Sequence, residues 1–285
     1  MAFKVMQSGL FSTIQDEGRK GVAYLGHCNS GALDMYAYHW SQRLLDNRQA
    51  NALEVMVGLK LEATKPTTIA ITGANLGLEI NGSYKEPWQS YVIEAGDILH
   101  FSKRFMGQRA YLAVKGGFDT PRYLGSFSTT IKEGFGDRLK AGDILPYRAT
   151  TVISLTRVKP EHIPNYDAPL ILRVMLGYQH TLFSDKEKEK FFSSEYEITL
   201  QSDRMGYRLS GKGVFAKSEN LISEGIAFGA IQIPNDGQPI ILLKERQTIG
   251  GYPKMGTVIA EDCYALAQRG AGCKVRFEPY TIKQE

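Results

Sequence analysis

The sequence predicts a mainly β fold, most simply β-barrels in two halves, and three observations support this prediction. Apolar runs of strand length alternate with turn residues along most of the chain. The 29 glycines and 11 prolines punctuate these runs and favour sheets over long helices. The length of 285 residues is enough for two domains with cores of their own.

Strands are predicted in order along the chain where such runs meet turn residues. The predicted strands are TTIAIT (67–72), SYVIEAGDILHF (90–101, with a turn at Gly96), RAYLAV (109–114), LILRVML (170–176) and PIILLKE (239–245). Helical spacing is confined to two segments. Residues 34–45 place Leu33, Ala37, Trp40 and Leu44 on one face, with Ser30 or Asp34 as the cap, and residues 184–192 form a solvated helix with two phenylalanines inward.

The segment 157–169 is predicted to be the linker between the halves, because it has three prolines and no periodicity. The first domain is then 1–156, with a helical insertion, and the second is 170–285. Two short echoes suggest that the halves are related. GQRAYLAVKGG at Gly107 is similar to GQPIILLKERQ at Gly237, and Asp16 to Arg19 is similar to Asp203 to Gly206. Matches this short do not decide whether the two halves are an internal repeat.

Charge and cysteine content exclude several classes of protein. The net charge is +4, with no basic block, so a nucleic-acid partner is not expected. The three cysteines, Cys28, Cys263 and Cys273, are widely spaced and suggest neither a disulfide framework nor a zinc site. No apolar run resembles a signal peptide or a membrane span. We therefore expect a cytoplasmic protein with no membrane partner.

The segment GYRLSGKG (206–213) is close to a phosphate loop but lacks one essential residue. A phosphate loop has Ser or Thr after its lysine to hold Mg²⁺, whereas Gly213 follows Lys212 here. A glycine-rich β-turn is the better interpretation. The five histidines are dispersed, and no metal site is predicted.

Three segments combine charges with glycines, which allow a ligand to approach the backbone: 12–34, 202–211 and 223–258. In the third, Lys244, Glu245 and Arg246 follow an apolar strand and precede a Gly-Gly turn. Such charges line a cleft or simply reach solvent. For Arg246, the structural alternative is an ion pair with Glu245 or Asp236.

These segments also carry a resemblance to a known family. QDEGRKG, SGALDMYA, NALEV, DRMGYRL, SEGIAFGAIQIPNDGQPIILL and RQTIGGYPKMGTVIAEDCYALAQ occur in this order between Gly9 and Phe277. Together they resemble the biotin-dependent carboxyltransferase family, also called the allophanate hydrolase subunit 2 family. The resemblance implies two cyclophilin-like β-barrels and a partner, a B-like (KipI-like) chain, that completes the catalytic cleft.

The resemblance also implies a set of site residues, carried over by their motif positions. We expect catalytic roles for Asp16, Lys244, Glu245 and Arg246. We expect substrate or phosphate binding by Arg19, Arg204, Gln232, Gln247, Gly250, Gly251, Tyr252 and Pro253. Two positions depart from the family pattern: His27-Cys28, and Lys244-Glu245 where an Ala-Asp pair is common.

The length and motifs most resemble a free-standing chain of ATP-dependent 5-oxoprolinase, inactive alone, which acts with A-like and B-like chains on a small-molecule substrate. ATP with Mg²⁺ is implied by the resemblance, bound by or shared with the partner. Arginines and Lys244 would neutralise phosphate charge, and Asp16 or Glu245 would orient those guanidinium groups or a water. No covalently bound biotin is expected, because the only Lys-Met pair, Lys254-Met255, lacks a preceding Met.

Two alternative functions stay open at this point. The chain is half of a biotin-dependent carboxyltransferase that acts on urea or a related amide, or it is a non-catalytic KipA-like protein that binds a KipI-like inhibitor of a histidine kinase.

Overall fold

The computed structural model describes residues 1–148, 154–217 and 221–281, which form two compact units. The first unit comprises residues 1–20 and 30–167, and the second comprises residues 21–29 and the chain from Ala168 onward. The change from one unit to the other falls within the predicted linker, 157–169. That linker is not a bare spacer, because Val158 and Tyr166 are buried. No sequence pattern indicated that residues 21–29 belong with the second unit.

The strands of the first unit form two antiparallel sheets. The six-stranded sheet has the order β11-β1-β4-β9-β6-β7 and the five-stranded sheet the order β2-β3-β10-β5-β8. Their bounds are β1 Ala2–Ser8, β2 Ser12–Gln15, β3 Ala52–Val55, β4 Leu59–Ala63, β5 Thr67–Asn75, β6 Leu78–Ile80, β7 Ser83–Tyr84, β8 Gln89–Ile93, β9 Ile98–Phe101, β10 Met106–Val114 and β11 Ile144–Pro146. Both sheets contribute to one apolar core, with Phe3 and Leu61 from the first and Leu53 and Leu112 from the second.

The helix predicted over residues 34–45 is confirmed as α1, Met35–Leu44. Asp34 is its cap, because its Oδ1 accepts a hydrogen bond from Ala37 N at 3.0 Å. The cap is held in a buried polar network. Tyr166 Oη donates to Asp34 Oδ2 at 2.8 Å, and Tyr111 Oη donates to Glu54 Oε2 at 2.8 Å while accepting from Asp34 N. Two acidic residues of the quoted motifs therefore anchor the helix.

The second unit is a closed barrel of seven strands with the order β12-β19-β16-β17-β14-β13-β20, closed by the parallel pairing of β12 with β20. A separate two-stranded sheet joins β15 and β18. The bounds are β12 Leu170–Leu176, β13 Tyr196–Ser202, β14 Gly206–Ser210, β15 Glu224–Gly225, β16 Ala230–Gln232, β17 Ile240–Leu242, β18 Ile249–Gly250, β19 Lys254–Val258 and β20 Lys274–Pro279. The mainly β fold class predicted from the sequence is confirmed.

Two predictions for the second unit need correction. The strand predicted as 239–245 ends at Leu242, so Lys244 and Glu245 lie in the turn that follows. A third helix, α3 (Ala260–Ala267), was not predicted because its first turn has no capping side chain. Tertiary contacts hold it instead, since the Asp262 carboxylate accepts hydrogen bonds from the backbone N–H and the guanidinium of Arg173 at 2.7 to 3.0 Å.

The other two local predictions for this unit hold. The solvated helix is α2, Asp185–Ser193, capped by Ser184, but of its two phenylalanines only Phe191 is fully buried and Phe192 is half-buried. The GYRLSGKG segment is strand β14 followed by a turn, and the described residues 214–217 that come next form no helix. In the described part of the chain, none of the helices is long and apolar enough to cross a bilayer.

Candidate functional site

Asp16 in the first unit organises a loop. Its Oδ1 accepts hydrogen bonds from Gly18 N at 2.8 Å and from the hydroxyls of Ser126 and Ser128 at 2.5 Å. Its Oδ2 accepts from Phe127 N at 2.7 Å. A carboxylate has about four acceptor positions, and four donors of the protein already face this one. These contacts give Asp16 a positioning role in the loop. Its Oδ2 accepts only one of the four hydrogen bonds and the residue lines the cavity beside the loop, so its catalytic role stays a prediction.

Arg19 also binds the loop that Asp16 organises. Its guanidinium donates to Tyr123 O at 3.2 Å, to Thr130 Oγ1 at 2.9 Å and to Ser128 O at 2.5 Å. It also lies over the ring of Phe135, 4.6 Å from the centroid, and the residue is 2% exposed. Because the side chain is enclosed, we assign Arg19 to loop structure and not to direct contact with a ligand.

An open cavity of about 290 Å³ lies beside this loop. Glu17, Lys20 and Arg122 supply charges of both signs to its lining. Leu124 and Gln49 also line it, and both adopt positive φ angles near 50°, a conformation that costs free energy for non-glycine residues. The sequence indicated neither this cavity nor Arg122.

Arg204 and Glu245 of the second unit form a buried ion pair. Arg204 Nε lies 2.5 Å from Glu245 Oε1, and both side chains are about nine-tenths buried. Glu245 thus orients a guanidinium, which is one of the two roles expected for it. Arg204 is committed to this pair, so the structure favours a positioning role over the predicted direct contact with substrate or phosphate.

Arg246 differs from Arg204 because neutral oxygens hold it. Its Nε donates to Ile226 O at 3.0 Å, Nη1 to Leu243 O at 3.1 Å and Nη2 to Asn29 Oδ1 at 3.2 Å. In residues 1–148, 154–217 and 221–281, no carboxylate lies within ion-pair distance of it. Burial lowers the pKa of the Arg246 guanidinium, since desolvation penalises the charged form. The site therefore holds a partly buried cation that an anionic ligand would neutralise.

The structural ion pair predicted as an alternative for Arg246, with Glu245 or Asp236, is not formed in the described structure. Glu245 is paired with Arg204, and Asp236 is paired with Arg208. Both carboxylates that were candidates for a structural ion pair thus bind other arginines.

The remaining charged and exposed candidates surround this point of the chain. Lys244 Nζ lies 5.0 Å from the ring centroid of Phe228, a cation–π contact that keeps the ammonium near the turn. Gln247 and Tyr252 are exposed, and their side chains are accessible to a ligand or a partner. Pro253 is buried, and its carbonyl accepts from Ile233 N at 2.9 Å.

Gln232 lies against the glycines of the motif. It is 4% exposed, and its Nε2 has no hydrogen-bond partner in the described structure. A Cβ on Gly250 would lie 2.7 Å from this Nε2, and a Cβ on Gly251 would lie 2.7 Å from Leu221 O. The two glycines thus allow close backbone approach, and Gln232 presents an unused donor there.

Four further polar residues surround this turn, and the sequence did not single them out as site residues. The Glu224 carboxylate forms an ion pair with Lys254 Nζ at 2.9 Å and accepts hydrogen bonds from Gln179 Nε2 at 2.9 Å and from the Tyr178 hydroxyl. Gln179 Oε1 also accepts from Lys254 N at 2.9 Å. Glu224 and Lys254 lie within quoted motifs, but 30 positions separate them. The two-residue strands β15 and β18 that bring Glu224 beside Gly250 gave no periodic signal.

Comparison with known proteins relates the chain to components of enzymes. A family model described as carboxyltransferase domain, subdomain A and B, matches residues 25–279. The C subunit of the 5-oxoprolinase of Escherichia coli is 33% identical over 99% of this chain and 92% of its own length. The protein of the same name from Haemophilus influenzae is 33% identical over 96% of this chain and 89% of its own length.

The fold is also similar to parts of larger solved proteins. The urea carboxylase of Kluyveromyces lactis matches with a TM-score of 0.91 and 27% identity over 98% of this chain. This chain spans only 27% of that protein, and it spans 55% of another solved chain that matches with a TM-score of 0.88.

Proposed function

We propose that this chain, which belongs to the family of carboxyltransferase domains with subdomains A and B, is the C subunit of an ATP-dependent 5-oxoprolinase. The family predicted from the motifs is thereby confirmed, and the specific reaction is the proposal. Its main support among relatives is that the C subunits of two 5-oxoprolinases match this chain from end to end. The reaction would hydrolyse the lactam of 5-oxo-L-proline to give L-glutamate, together with A-like and B-like subunits.

The observation that best supports a site for the proposed reaction is the partly buried guanidinium of Arg246. 5-Oxoproline has a carboxylate, and an ATP-coupled reaction passes through phosphorylated states, so the enzyme requires a cation to bind an anion. Arg246 is partly buried, has two ordered carbonyl partners that fix its plane, and has no carboxylate partner in the described part of the chain. We assign it to binding the substrate carboxylate or a phosphate.

The neighbouring groups have supporting roles in this scheme. Glu245 fixes Arg204, Lys244 adds positive charge, and the glycines at positions 250 and 251 let the ligand approach the backbone. Asp16 and Arg19 shape the loop of the first unit. These roles belong to the proposed function.

ATP with Mg²⁺ would be bound by the partner or shared with it. Residues 206–213 form a strand and a turn, a geometry unlike that of a phosphate loop. Within the residues described, no three His, Cys, Asp or Glu side chains group as metal ligands.

Copurification followed by an activity assay tests this function. The tagged chain is purified from its native host with whatever proteins copurify, and ADP release is measured with and without 5-oxoproline. We expect 5-oxoproline-dependent ADP and glutamate formation by the complex and none by the single chain. Turnover by the chain alone, or a complex with A-like and B-like subunits that never hydrolyses 5-oxoproline, would overturn the proposal.

The fold similarity to urea carboxylase supports a second candidate, half of a carboxyltransferase that acts on urea or a related amide. In this chain, Lys254 lies within strand β19 and is paired with Glu224, so it is placed unlike an accessible biotin carrier. The second candidate therefore requires a separate biotin carrier. Copurification of a biotinylated chain, with urea-dependent instead of 5-oxoproline-dependent turnover, would select it.

A further inference from the structure

Strand pairing in the second unit brings three chemically different groups to the Gly250 backbone. Gln232 lies opposite Lys254 in the pairing of β16 with β19, and Glu224 lies opposite Gly250 in the pairing of β15 with β18. Residues directly opposite in a sheet lie within side-chain contact distance. The unused Gln232 donor thus lies against Gly250, and the paired side chains of Lys254 and Glu224 belong to the strands next to it.

The donor on Gln232 is the feature that points to a ligand. A buried N–H without a partner carries a free-energy cost, and most buried polar groups in proteins are satisfied. A carbonyl oxygen within hydrogen-bond distance of Gln232 Nε2 would remove that cost. Gly250 has no Cβ, and a Cβ there would lie 2.7 Å from Gln232 Nε2.

The acceptor on Glu224 complements this donor. Its Oε1 accepts from Gln179 and is ion-paired with Lys254, whereas its Oε2 accepts from Tyr178. A carboxylate oxygen can accept two hydrogen bonds, so Oε2 can accept another. The Lys254 side chain is 12% exposed, and its pairing holds the carboxylate in place.

We infer that Gln232 and Glu224, with Lys254 as the positioning cation, form a subsite for the edge of a cyclic amide. In a lactam the ring forces the amide into the cis form, so its C=O and N–H point to the same side. The C=O accepts from Gln232 Nε2, and the N–H donates to Glu224 Oε2. The choice of a lactam rests on the proposed function, in which Arg246 binds the carboxylate of the same substrate.

The charges of the subsite argue against an anion as its ligand. A phosphate or carboxylate placed here would meet the Glu224 carboxylate at close range. A neutral amide presents one donor and one acceptor, which match the groups available. The anionic end of the substrate is thus assigned to Arg246 and the neutral end to this subsite.

Substitution of Gln232 tests whether its side chain contributes to substrate binding or to the stability of the fold. Gln232→Leu removes a donor that has no partner in the described part of the fold, so the melting temperature should stay the same or rise. In the copurified complex, KM for 5-oxoproline should rise about tenfold or more, since the lactam oxygen loses its donor. Lys254→Met should also raise KM. Lys274→Met, which removes a surface lysine paired with Glu197, should leave KM unchanged.

Probe compounds test the subsite on the unaltered complex, whether or not the variants fold. Binding of 2-pyrrolidinone and of N-methyl-2-pyrrolidinone is measured by NMR titration. We expect the first to bind and the second, which lacks the N–H, to bind at least about tenfold more weakly. N-Methylacetamide, whose C=O and N–H point to opposite sides, serves as the acyclic control.

The outcomes distinguish this inference from the proposed function. Equal binding of both pyrrolidinones, or preferential binding of N-methylacetamide, would overturn the lactam subsite even if the complex hydrolyses 5-oxoproline. A normal KM in Gln232→Leu would also overturn it. Selective 2-pyrrolidinone binding without any 5-oxoproline turnover would instead support the subsite and contradict the proposed function.

Discussion

Arg19 in the first unit and Arg246 in the second come from similar glycine-rich, charged motifs but have different surroundings. Arg19 is 2% exposed, and two carbonyls, a hydroxyl and an aromatic ring enclose its guanidinium. Arg246 is only partly buried and lies beside a glycine turn with an unused amide donor. Each guanidinium donates three hydrogen bonds to neutral oxygens of the protein, so neither the motif nor the number of hydrogen bonds separates them. The comparison teaches that exposure separates a structural arginine from one that can bind a ligand.

The carboxylates of the two units follow the same distinction. Asp16 accepts four hydrogen bonds from its own loop. Glu224 keeps acceptor capacity on the oxygen that faces the Tyr178 hydroxyl, and Tyr178 is itself exposed. Asp16 thus serves mainly its own loop, with four protein donors, whereas Glu224 has fewer hydrogen-bond donors and keeps more acceptor capacity for a ligand.

The largest effect is expected from breaking the buried pair of Arg204 and Glu245. Arg204→Met should lower the free energy of unfolding by about 3 to 5 kcal/mol, because it leaves a buried carboxylate without its cation. Adding Glu245→Gln should restore much of this loss. Urea unfolding of the single and double variants measures the coupling, and additive losses would contradict the ion pair.

Arg19→Met should have the next largest effect on stability. It removes the Arg19 donor from three acceptors of the loop, of which Tyr123 O keeps the Ser126 N–H, and the loss should cost about 3 kcal/mol of unfolding free energy. Arg104, which is exposed in the same unit, is the control, and Arg104→Met should change stability by about 0.5 kcal/mol or less. If Arg19→Met were stable but inactive in the complex, the structural assignment of Arg19 would be wrong.

Gly250→Ala should change function more than stability. The added methyl would meet Gln232 Nε2 and Ile226 Cδ1 at 2.7 Å, and both are ends of flexible side chains that can move. We expect a stability loss of about 1 to 2 kcal/mol and a higher KM for 5-oxoproline. Gly225 pairs with Ile249 in the same small sheet and has no heavy atom within 4 Å of its Cβ position in the described structure. Gly225→Ala should therefore leave KM unchanged, and equal effects of the two changes would contradict this account of the turn.

The smallest effect concerns the cysteines and should leave the fold intact. Burial raises the pKa of the Cys263 thiol, so its reactive thiolate is scarcer than usual at any given pH, whereas Cys273 is partly exposed. Iodoacetamide at a mildly basic pH should therefore alkylate Cys273 in the native protein and reach Cys263 only on unfolding. Peptide mass spectrometry gives both rates, and rapid native labelling of Cys263 would show that α3 opens.

Local patterns in the sequence were enough for the elements with strong periodicity. The α1 helix was predictable because Asp34 and the apolar spacing act within one turn. Its face was partly misjudged, since Trp40 is not fully buried and its ring packs against His162. The α3 helix was missed because Arg173, 89 positions away, supplies the contact that fixes it.

The candidate site was predictable only where neighbouring residues stay together. The turn with Arg246, Gly250 and Gly251 could be identified because its residues are contiguous. Glu245 is paired with Arg204, and Arg246 is bound by neutral oxygens. This choice of partners depends on strand pairing and could not be deduced from spacing. The same is true of Glu224 beside Gly250.

The central claim is that Arg246 binds the substrate carboxylate or a phosphate. Arg246→Lys in the copurified complex tests it most directly. Lysine keeps the charge but loses the planar fork, so it cannot replace a bidentate contact to a carboxylate or phosphate. We expect kcat/KM for 5-oxoproline-dependent ADP release to fall about 10-fold to 150-fold, which corresponds to about 1.5 to 3 kcal/mol, with little change in melting temperature. Arg208→Lys, at the pair with Asp236, is the control and should retain activity. A stable Arg246→Lys complex with full activity would contradict the account.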